Sequence, residues 1–361
     1  MAKIRAGVIG VGNCFSGLYE GMEYYRQNPS RKVVGLMHEK IAGYSWSDIE
    51  FVSAFDVAEN KIGKHLDKAV YQYPNMVDWV KEMPKSACIV REAPALDGVG
   101  LYVQNRINPV KNRPLPVLRK EIISEIESTK TEVLVNYLPV GSQKATEFWA
   151  NIALETGCGL VNCIPVFIAS TPQWESKFRK AGLPVIGDDI KGQVGATIVH
   201  RTLARLCDER GTRIEKTYQI NVGGNTDFLN MKEQERLASK RVSKTESVQS
   251  QLRQRLEDDK IYVGPSDFIP FLGNTKLMFM RIEGAMWADR PYNMEVRLEV
   301  DDKANSAGIV IDALRCAKLA LDRKQGGAVI PASAYLMKHP PKQFSDSEAR
   351  RLLEEFIAGK K

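Results

Sequence analysis

Short apolar runs alternate with longer segments of helical periodicity along the first half of the chain. Apolar runs of four to eight residues predict buried strands, and apolar residues that recur every three or four positions predict helices. The strands are predicted at 4–9, 51–56, 133–137, 159–162 and 184–186, and the main helices at 14–25, 116–128, 143–156 and 196–210. This alternation is typical of a doubly wound parallel sheet.

The pattern changes after residue 210. Apolar and polar residues then alternate at 217–222, 261–264, 276–282 and 293–300, and a two-residue period predicts a sheet with one covered face. One long helical region, 230–256, interrupts these strands, and an amphipathic helix at 306–322 is expected to return to the first sheet. The alternating Met278, Met280 and Ile282 are expected to cover the second sheet against a partner subunit.

Two domains are expected, because 361 residues exceed what one core usually supports. The predicted division is a doubly wound domain of residues 1–195, completed by 305–361, with an inserted α+β domain at 196–304. Composition is that of a globular protein, with 43% hydrophobic and 26% charged residues. No apolar run approaches the ~20 residues of a membrane span, so no membrane association is expected.

The net charge and the distribution of cysteines indicate the class of ligand and the cellular location. The net charge of +7, from 51 basic and 44 acidic residues, is not concentrated in basic runs, which favours small anionic metabolites over nucleic acid. The six cysteines are scattered without zinc-site spacing, which is typical of reduced thiols. Since the N-terminal pattern is also not that of a signal peptide, a cytoplasmic location is expected.

A glycine turn follows the first strand directly. Gly10 and Gly12 supply the first two glycines of G-x-G-x-x-G, while the third position holds Phe15. Strand, glycine turn and helix form the dinucleotide-binding unit, in which the helix N-terminus holds a phosphate. A phosphate-binding loop is therefore favoured over a simple tight turn.

The acidic residue expected to bind the adenine ribose is Asp56, at the end of the next predicted core strand. It lies 44 positions after Gly12, where about 20 is usual, because residues 38–48 form an insertion. No arginine follows it directly, which favours NAD over NADP. The alternative is that Asp56 caps a helix at 57–66.

Two loops at strand ends are also candidate parts of a binding site. The turn Pro139-Val140-Gly141-Ser142 either faces the cofactor or only connects a strand to a helix. The loop 187–195, GDDIKGQVG, combines paired aspartates with a lysine and glycines, and either forms a site or is a solvated turn.

The segment 221–244 is the most distinctive. Lys240 and Lys244 are four positions apart and so share one helix face, which is either a solvated surface or a cationic wall for an anion. Ser243 and Glu246 have capping-box spacing, so a helix start near Ser243 is predicted. Free backbone N–H groups would then lie beside Lys244, as in a phosphate site.

Eight motifs together resemble the myo-inositol-1-phosphate synthase family, especially its prokaryotic branch. They are GVGNC, NYLPVGS, GDDIKGQVGAT, NVGGNTDFLN, SKRVSKTE, GPSD, NSAGIVIDA and PASAYLMKHPP, in family order over nearly the whole chain. The resemblance implies a Rossmann domain interrupted by a catalytic and tetramerisation domain. It also implies bound NAD and conversion of D-glucose 6-phosphate to 1L-myo-inositol 1-phosphate, for inositol and phospholipid biosynthesis.

The resemblance also implies roles for individual residues. The catalytic set is Lys240, Lys276, Lys338, Asp189, Asp227 and Asp302. The substrate phosphate would be bound by Lys244, Asn221, Gly192 and Gln193, where Gly192 replaces a serine of the other branch and offers only its backbone N–H. The cofactor-binding set is Gly10, Gly12, Asn13, Cys14, Asp56, Pro139, Gly141, Ser142 and Asp188. A cation bound by Asp188, Asp189 and Asp302 is left open, since these residues match no metal motif.

Two other functions are weighed against the synthase. An NAD-dependent dehydrogenase of a sugar phosphate would use the same cofactor loop but needs only one base and releases NADH. A non-catalytic NAD-binding sensor would need no lysine cluster at the nicotinamide. Several lysines around one substrate favour the synthase, because enolisation and ring closure require several cations.

Overall fold

The computed structural model describes residues 3–110, 113–264 and 267–360. Of the GPSD motif, Pro265 and Ser266 lie outside the described residues. The strands are β1 (Ile4–Ile9), β2 (Lys40–Ile41), β3 (Tyr44–Ser45), β4 (Ile49–Asp56), β5 (Val90–Glu92), β6 (Val133–Asn136), β7 (Gly159–Asn162), β8 (Pro184–Ile186), β9 (Arg213–Gly223), β10 (Ile261–Val263), β11 (Asp267–Phe268), β12 (Thr275–Ala285), β13 (Pro291–Asp301) and β14 (Gly327–Ala328).

The first sheet has seven parallel strands in the order β14-β8-β7-β6-β1-β4-β5. From β1 the chain moves to β4 and β5 on one side and then returns to β6 on the other. This reversal is a topological switch point, where doubly wound sheets form a ligand-binding crevice at the carboxyl ends of the strands. The predicted fold class is confirmed.

Helices cover both faces of the first sheet and pack on the second. They are α1 (Asn13–Gln27), α2 (Leu66–Ala69), α3 (Gln104–Ile107), α4 (Leu115–Ser128), α5 (Gln143–Thr156), α6 (Pro172–Ala181), α7 (Ala196–Glu209), α8 (Thr226–Asn230), α9 (Ala238–Gln249), α10 (Ala304–Asp322), α11 (Ile330–Leu336) and α12 (Asp346–Ala358). On one face α1, α10 and α11 share a buried apolar core with the strands, and on the other face α4, α5 and α6 do so. Burial on both faces explains why the strands read as continuous apolar runs.

The second sheet has the order β10-β9-β12-β13, with β11 also paired to β9. Strands β12 and β13 form a long antiparallel hairpin in which Thr275 pairs with Asp301 at the open end and Ala285 with Pro291 beside the turn. The hairpin therefore carries Lys276 and Asp302 to its open end, away from the turn.

One face of the second sheet packs inside the chain. Met278, Met280 and Ile282 are buried in a core that also contains Ala204 of α7 and Val248 of α9. The expectation that these three side chains face a partner subunit is therefore wrong, because α7 and α9 already cover them.

Helix α10 returns from the second sheet to the first, as predicted. Its Val310 and Leu314 lie in the same buried core as Val8 of β1. The long helix predicted at 230–256 is wrong in its length, since α8, a short 3₁₀ turn at Gln234–Leu237 and α9 replace it. Among the described residues, none of the helices is long and apolar enough to cross a membrane.

Candidate active site

A single cleft runs from the carboxyl ends of β1, β4 and β6 to the open end of the β12–β13 hairpin. Both sheets contribute to its walls. Most of the residues singled out in the sequence line it, namely Gly10, Gly12, Asn13, Cys14, Asp56, Pro139, Asp189, Gly192, Asn221, Asp227, Lys240, Lys244, Lys276, Asp302 and Lys338. The cleft thus gathers groups from segments that are far apart in the chain.

Four of the expected site residues are not among those that line the cleft: Gly141, Ser142, Asp188 and Gln193. The Ser142 hydroxyl is buried and donates to the Pro139 carbonyl at 2.6 Å. The Gln193 amide donates to the Gly35 carbonyl instead of reaching a substrate. Only the first half of the 139–142 turn therefore faces the site.

Asp188 is a structural residue of the loop and not a cleft residue. Its carboxylate is fully buried and accepts hydrogen bonds from the Asn162 amide at 2.7 Å and from the Ser170 hydroxyl at 2.8 Å. Burial raises its pKa to about 6, although these hydrogen bonds act in the opposite direction. Because Asp188, Asp189 and Lys191 are all buried, the solvated-turn alternative for 187–195 is wrong.

The N-terminus of α1 opens directly into the cleft. Gly12 precedes the helix and provides no side-chain cap, and a Cβ placed on it would have no atom within 4 Å. Gly10 has φ +90°, and a Cβ there would lie 3.1 Å from the Tyr137 carbonyl oxygen. The two glycines therefore leave the first N–H groups of α1 accessible to an anion.

Asp56 closes β4 beside this helix. Its carboxylate accepts hydrogen bonds from the backbone N–H groups of Val11 (2.8 Å), Val57 (2.8 Å) and Ala58 (2.9 Å). Residues 57–65 form turns and not a helix, so the helix-cap alternative is wrong, although Asp56 does order the turn after β4. The buried Lys61 ammonium lies 3.9 Å from the carboxylate oxygen that accepts from Val11, and the sequence analysis missed this lysine.

Lys240 and Lys244 lie on α9, and both side chains face the cleft. Lys244 is only 5% exposed, so the solvated-surface alternative is wrong. The predicted helix start near Ser243 is also wrong, because α9 begins at Ala238. The Ser243 hydroxyl donates to the Asp189 carboxylate at 2.7 Å instead of capping a helix.

The Lys244 ammonium makes no hydrogen bond or ion pair with any residue that the structure describes. Burial lowers its pKa well below the ordinary value, and the nearby Lys240, Lys276 and Lys338 lower it further. A lysine buried among other cations is unfavourable in the free protein. An anion bound in the cleft would relieve this repulsion.

Asp189 joins two cleft segments. One carboxylate oxygen accepts a hydrogen bond from Lys338 at 2.8 Å, and the other accepts from Ser243. Burial acts to raise the pKa of Asp189, but Lys338 and Lys240 outweigh it and hold the pKa below the ordinary value. Burial lowers the pKa of Lys338 despite the neighbouring Asp189, which makes its neutral amine more accessible than that of a surface lysine.

Two further pairs complete the cluster. Lys240 lies 3.8 Å from the Asp227 carboxylate, and burial, which lowers its pKa, is outweighed by Asp227 and Asp189, so that the pKa rises. Lys276 donates to the Asp302 carboxylate at 3.1 Å. Asp227 and Asp189 therefore favour the charged form of Lys240, while burial favours the neutral amines of Lys244 and Lys338.

Lys303 is a cleft residue that the sequence analysis missed. It is fully buried, and its ammonium lies 3.4 Å from Asp302 and 3.4 Å from the Cys14 sulfur. Its position directly after Asp302 in the chain is the signal that could have identified it.

The remaining expected phosphate ligands, Asn221 and Gly192, differ in the groups that they present to the cleft. Asn221 lines the cleft, and its side-chain amide donates to the Gly264 carbonyl at 2.7 Å. Gly192 also lines the cleft, and a Cβ there would lie 3.1 Å from the Asn305 side chain. Of the two, Gly192 has only its backbone to offer a ligand.

In the part of the chain that the structure describes, no three His, Cys, Asp or Glu side chains are grouped to hold a metal ion. Asp189 and Asp302 are instead paired with lysines. The cation left open in the sequence analysis gains no ligand set from this geometry.

Comparison with known proteins identifies the family of this chain. Residues 195–303 match the family model for myo-inositol-1-phosphate synthase. The chain is 46% identical over 358 residues to the inositol-3-phosphate synthase of Mycobacterium tuberculosis, covering 99% of this chain and 96% of the relative. It is 47% identical over 362 residues to that of Corynebacterium glutamicum, covering 99% and 98%. The chain belongs to the myo-inositol-1-phosphate synthase family.

Solved structures of similar proteins share the fold of this chain. Ari2 matches with a TM-score of 0.80 at 31% identity, covering 99% of both chains. A myo-inositol-1-phosphate synthase-related protein from Thermotoga maritima matches with a TM-score of 0.79 at 25% identity, again covering 99% of both. Inositol-3-phosphate synthase from Caenorhabditis elegans, at 12% identity and a TM-score of 0.74, shares the fold over 98% of this chain and 85% of that one. The family predicted from the eight motifs is confirmed, and an enzyme of the synthase type is favoured over a simple dehydrogenase.

Proposed function

We propose that this protein is an inositol-3-phosphate synthase that converts D-glucose 6-phosphate to 1L-myo-inositol 1-phosphate with NAD as its resident cofactor. The observation that carries the proposal is the convergence of Lys240, Lys244, Lys276 and Lys338 on one cleft that also contains the open N-terminus of α1. A hydride transfer alone requires one base. Four lysines match a reaction that also forms an enolate and closes a ring.

The cofactor end of the cleft fits NAD. The uncapped N-terminus of α1, behind Gly10 and Gly12, suits a pyrophosphate, and Asp56 is placed to accept hydrogen bonds from ribose hydroxyls. The carboxylate of Asp56 also disfavours the 2′-phosphate of NADP by charge repulsion. Bound NAD would supply a hydride acceptor for C5 of the substrate that is regenerated within each cycle, so that no cofactor would be consumed.

Lys244 is the proposed binder of the substrate phosphate. It is the buried lysine without an ion pair among the described residues, and its neighbours repel its charge until an anion arrives. Asn221 and the Gly192 backbone line the same cleft and are proposed to assist it. Gln193 is not carried over as a direct ligand, because it does not line the cleft and its amide donates a hydrogen bond to the Gly35 carbonyl.

The remaining lysines are proposed to move protons and stabilise developing negative charge. The chemistry requires deprotonation of the C5 hydroxyl, removal of a proton from C6 and polarisation of carbonyls at C5 and C1. Lys338 is suited to proton transfer because its pKa is lowered, and Asp189 holds it in place. Lys240, with Asp227, and Lys276, with Asp302, are suited to hold charged ammonium groups at the carbonyl oxygens.

Three further assignments belong to this proposal. The domain boundaries are 1–195 with 305–361, and 196–304, supported by the separation of the strands into two sheets. A homotetramer is supported by Tyr218, Tyr262 and Phe279, which remain exposed on strands of the second sheet, and sedimentation of the pure protein measures it. The location is cytoplasmic.

The activity test uses the purified protein with glucose 6-phosphate and a substoichiometric amount of NAD. The expected product is an inositol monophosphate in amounts far above the NAD supplied, without net NADH. NADH that accumulates in step with substrate consumption would instead support the sugar-phosphate dehydrogenase.

A further inference from the structure

Lys303 holds a position between the two halves of the cleft that none of the four family lysines holds. It lies two residues after the end of β13 and directly before α10, and its side chain reaches the first turn of α1. Only 1% of the residue is exposed. A fully buried ammonium costs free energy unless it is paired, so the contacts of Lys303 indicate its role.

The Asp302 carboxylate is shared between two lysines. One oxygen accepts from Lys276 at 3.1 Å, and the other lies 3.4 Å from the Lys303 ammonium. Burial alone would raise the pKa of Asp302, but Lys276 and Lys303 outweigh it and hold the pKa well below the ordinary value. Asp302 therefore stays ionised and fixed in orientation between the two cations.

The same ammonium contacts the cofactor helix. Lys303 lies 3.4 Å from the sulfur of Cys14, the second residue of α1, and its Cβ is 3.0 Å from the position that a Cβ on Gly17 would take. Burial raises the pKa of the Cys14 thiol despite the nearby lysine, so Cys14 serves as a neutral contact. Lys303 thus links the proposed pyrophosphate site to the carboxylate that orients Lys276.

We propose that Lys303 is a positioning residue that acts through Asp302, fixing the Lys276–Asp302 pair relative to the cofactor-binding end of α1. This inference rests on the proposed function for its effect on turnover. It adds a fifth lysine whose task is geometric: Lys276 reaches the substrate carbonyl in the correct place relative to the nicotinamide because Lys303 holds Asp302. Displacement by about 1 Å is enough to cost roughly 100-fold in rate.

A double-mutant cycle tests the proposal. Lys303→Met, Asp302→Asn and the double variant are compared with wild type in kcat, in KM for glucose 6-phosphate and in the Kd of NAD. Lys303→Met is expected to lower kcat on the order of 10- to 100-fold with little change in KM. If Lys303 acts through Asp302, the double variant loses no more than Asp302→Asn alone, because the two residues form one unit.

Matched variants separate positioning from loss of stability. Lys318 lies on α10, is also largely buried and pairs with Glu132 at 2.9 Å and Asp322 at 2.6 Å, but does not line the cleft. Lys318→Met is expected to lower the melting temperature while kcat stays unchanged. Lys303→Arg, which keeps the charge, should retain more activity than Lys303→Met, and Lys303→Gln replaces the methionine variant where that fails to fold.

Several results would overturn the proposal: a folded Lys303→Met with wild-type kcat, rate losses that multiply in the double variant, or an arginine variant no better than methionine. The NAD-binding cycle gives an answer independent of the reaction. If wild type makes no inositol phosphate, the proposed function fails, while a coupled effect of Lys303 and Asp302 on the Kd of NAD still supports the link to α1 and independent effects reject it.

Discussion

Lys338 and Asp189 are 149 positions apart in the chain, yet the Lys338 ammonium donates a hydrogen bond of 2.8 Å to the Asp189 carboxylate. Asp189 follows β8, the second strand from one edge of the first sheet, and Lys338 follows α11 near the end of the chain. Ser243 of α9 donates to the same carboxylate. Three segments that fold onto different elements therefore meet at one aspartate, and the site exists only in the complete fold.

Removal of the Lys244 charge is expected to affect substrate binding more than turnover. Lys244→Met should raise KM for glucose 6-phosphate roughly 10- to 100-fold, as expected for loss of a charge-assisted contact of about 1.5–3 kcal/mol that exists before and during the reaction. The free variant should also melt at a higher temperature, because a buried amine with a lowered pKa is removed. Steady-state kinetics and thermal unfolding measure both effects. An unchanged KM would show that Lys244 does not bind the phosphate.

Removal of the Lys240 charge is expected to affect turnover. Lys240→Met should lower kcat by about 10²- to 10⁴-fold with a smaller change in KM, because its contribution grows as charge moves in the transition state. The same assays compare it with Lys244→Met. A KM effect for Lys240 together with a pure kcat effect for Lys244 would reverse the two roles.

Asp56→Ala is expected to weaken NAD binding by about 1.5–3 kcal/mol through loss of charge-assisted hydrogen bonds to the ribose. Titration calorimetry measures the affinity. Asp67→Ala is the matched control, because Asp67 is also buried and accepts a backbone hydrogen bond, from Ser86 at 2.9 Å, but does not line the cleft. If both variants bind NAD equally well, the role of Asp56 is confined to ordering the turn after β4.

His200 is expected to make the fold sensitive to acid. It is fully buried on α7, with Nε2 2.9 Å from the Thr217 hydroxyl, and burial lowers its pKa from 6.5 to about 4. The unfolded chain therefore takes up this proton first. The stabilisation is present above pH 6.5 and is lost as the pH falls towards 4, up to about 3 kcal/mol.

Urea unfolding at pH 7 and pH 5 tests this dependence. His200→Gln should lose less free energy of unfolding between the two pH values than wild type does. An equal loss in His200→Gln and wild type would remove His200 as the cause.

Much of the first sheet was predictable because its strands and helices are marked by signals within short stretches of sequence. The helix at Gln143–Thr156 and the strands at Gly159–Asn162 and Pro184–Ile186 were predicted with the observed bounds. The helix ends where Gly157 adopts φ +73°, a conformation that favours glycine over other residues, and continuous apolar runs identify strands buried on both faces.

The errors have tertiary causes. The residues around Ser243 have the spacing of a helix cap. In the structure, however, the Ser243 hydroxyl donates a hydrogen bond to Asp189, and α9 continues through this position. Asp188 precedes the cleft residue Asp189 in the chain, but its own carboxylate accepts hydrogen bonds from Asn162 and Ser170 instead of facing the cleft. Lys303 matches no motif, and only the return of α10 to the first sheet brings it against Cys14. Local sequence contains none of these partners.

The geometry of the β12–β13 hairpin determines where residues can be added or removed without disturbing the strand pairing. Its open end pairs Thr275 with Asp301, and its turn lies at the opposite end, beyond Ala285. Residues added at that turn leave the pairing untouched, whereas one residue lost inside either strand shifts it by about 3.3 Å and turns every later side chain to the other face. Insertions among relatives should therefore collect at the turn, and the same turn is the place to attach a tag or probe without disturbing Lys276 and Asp302.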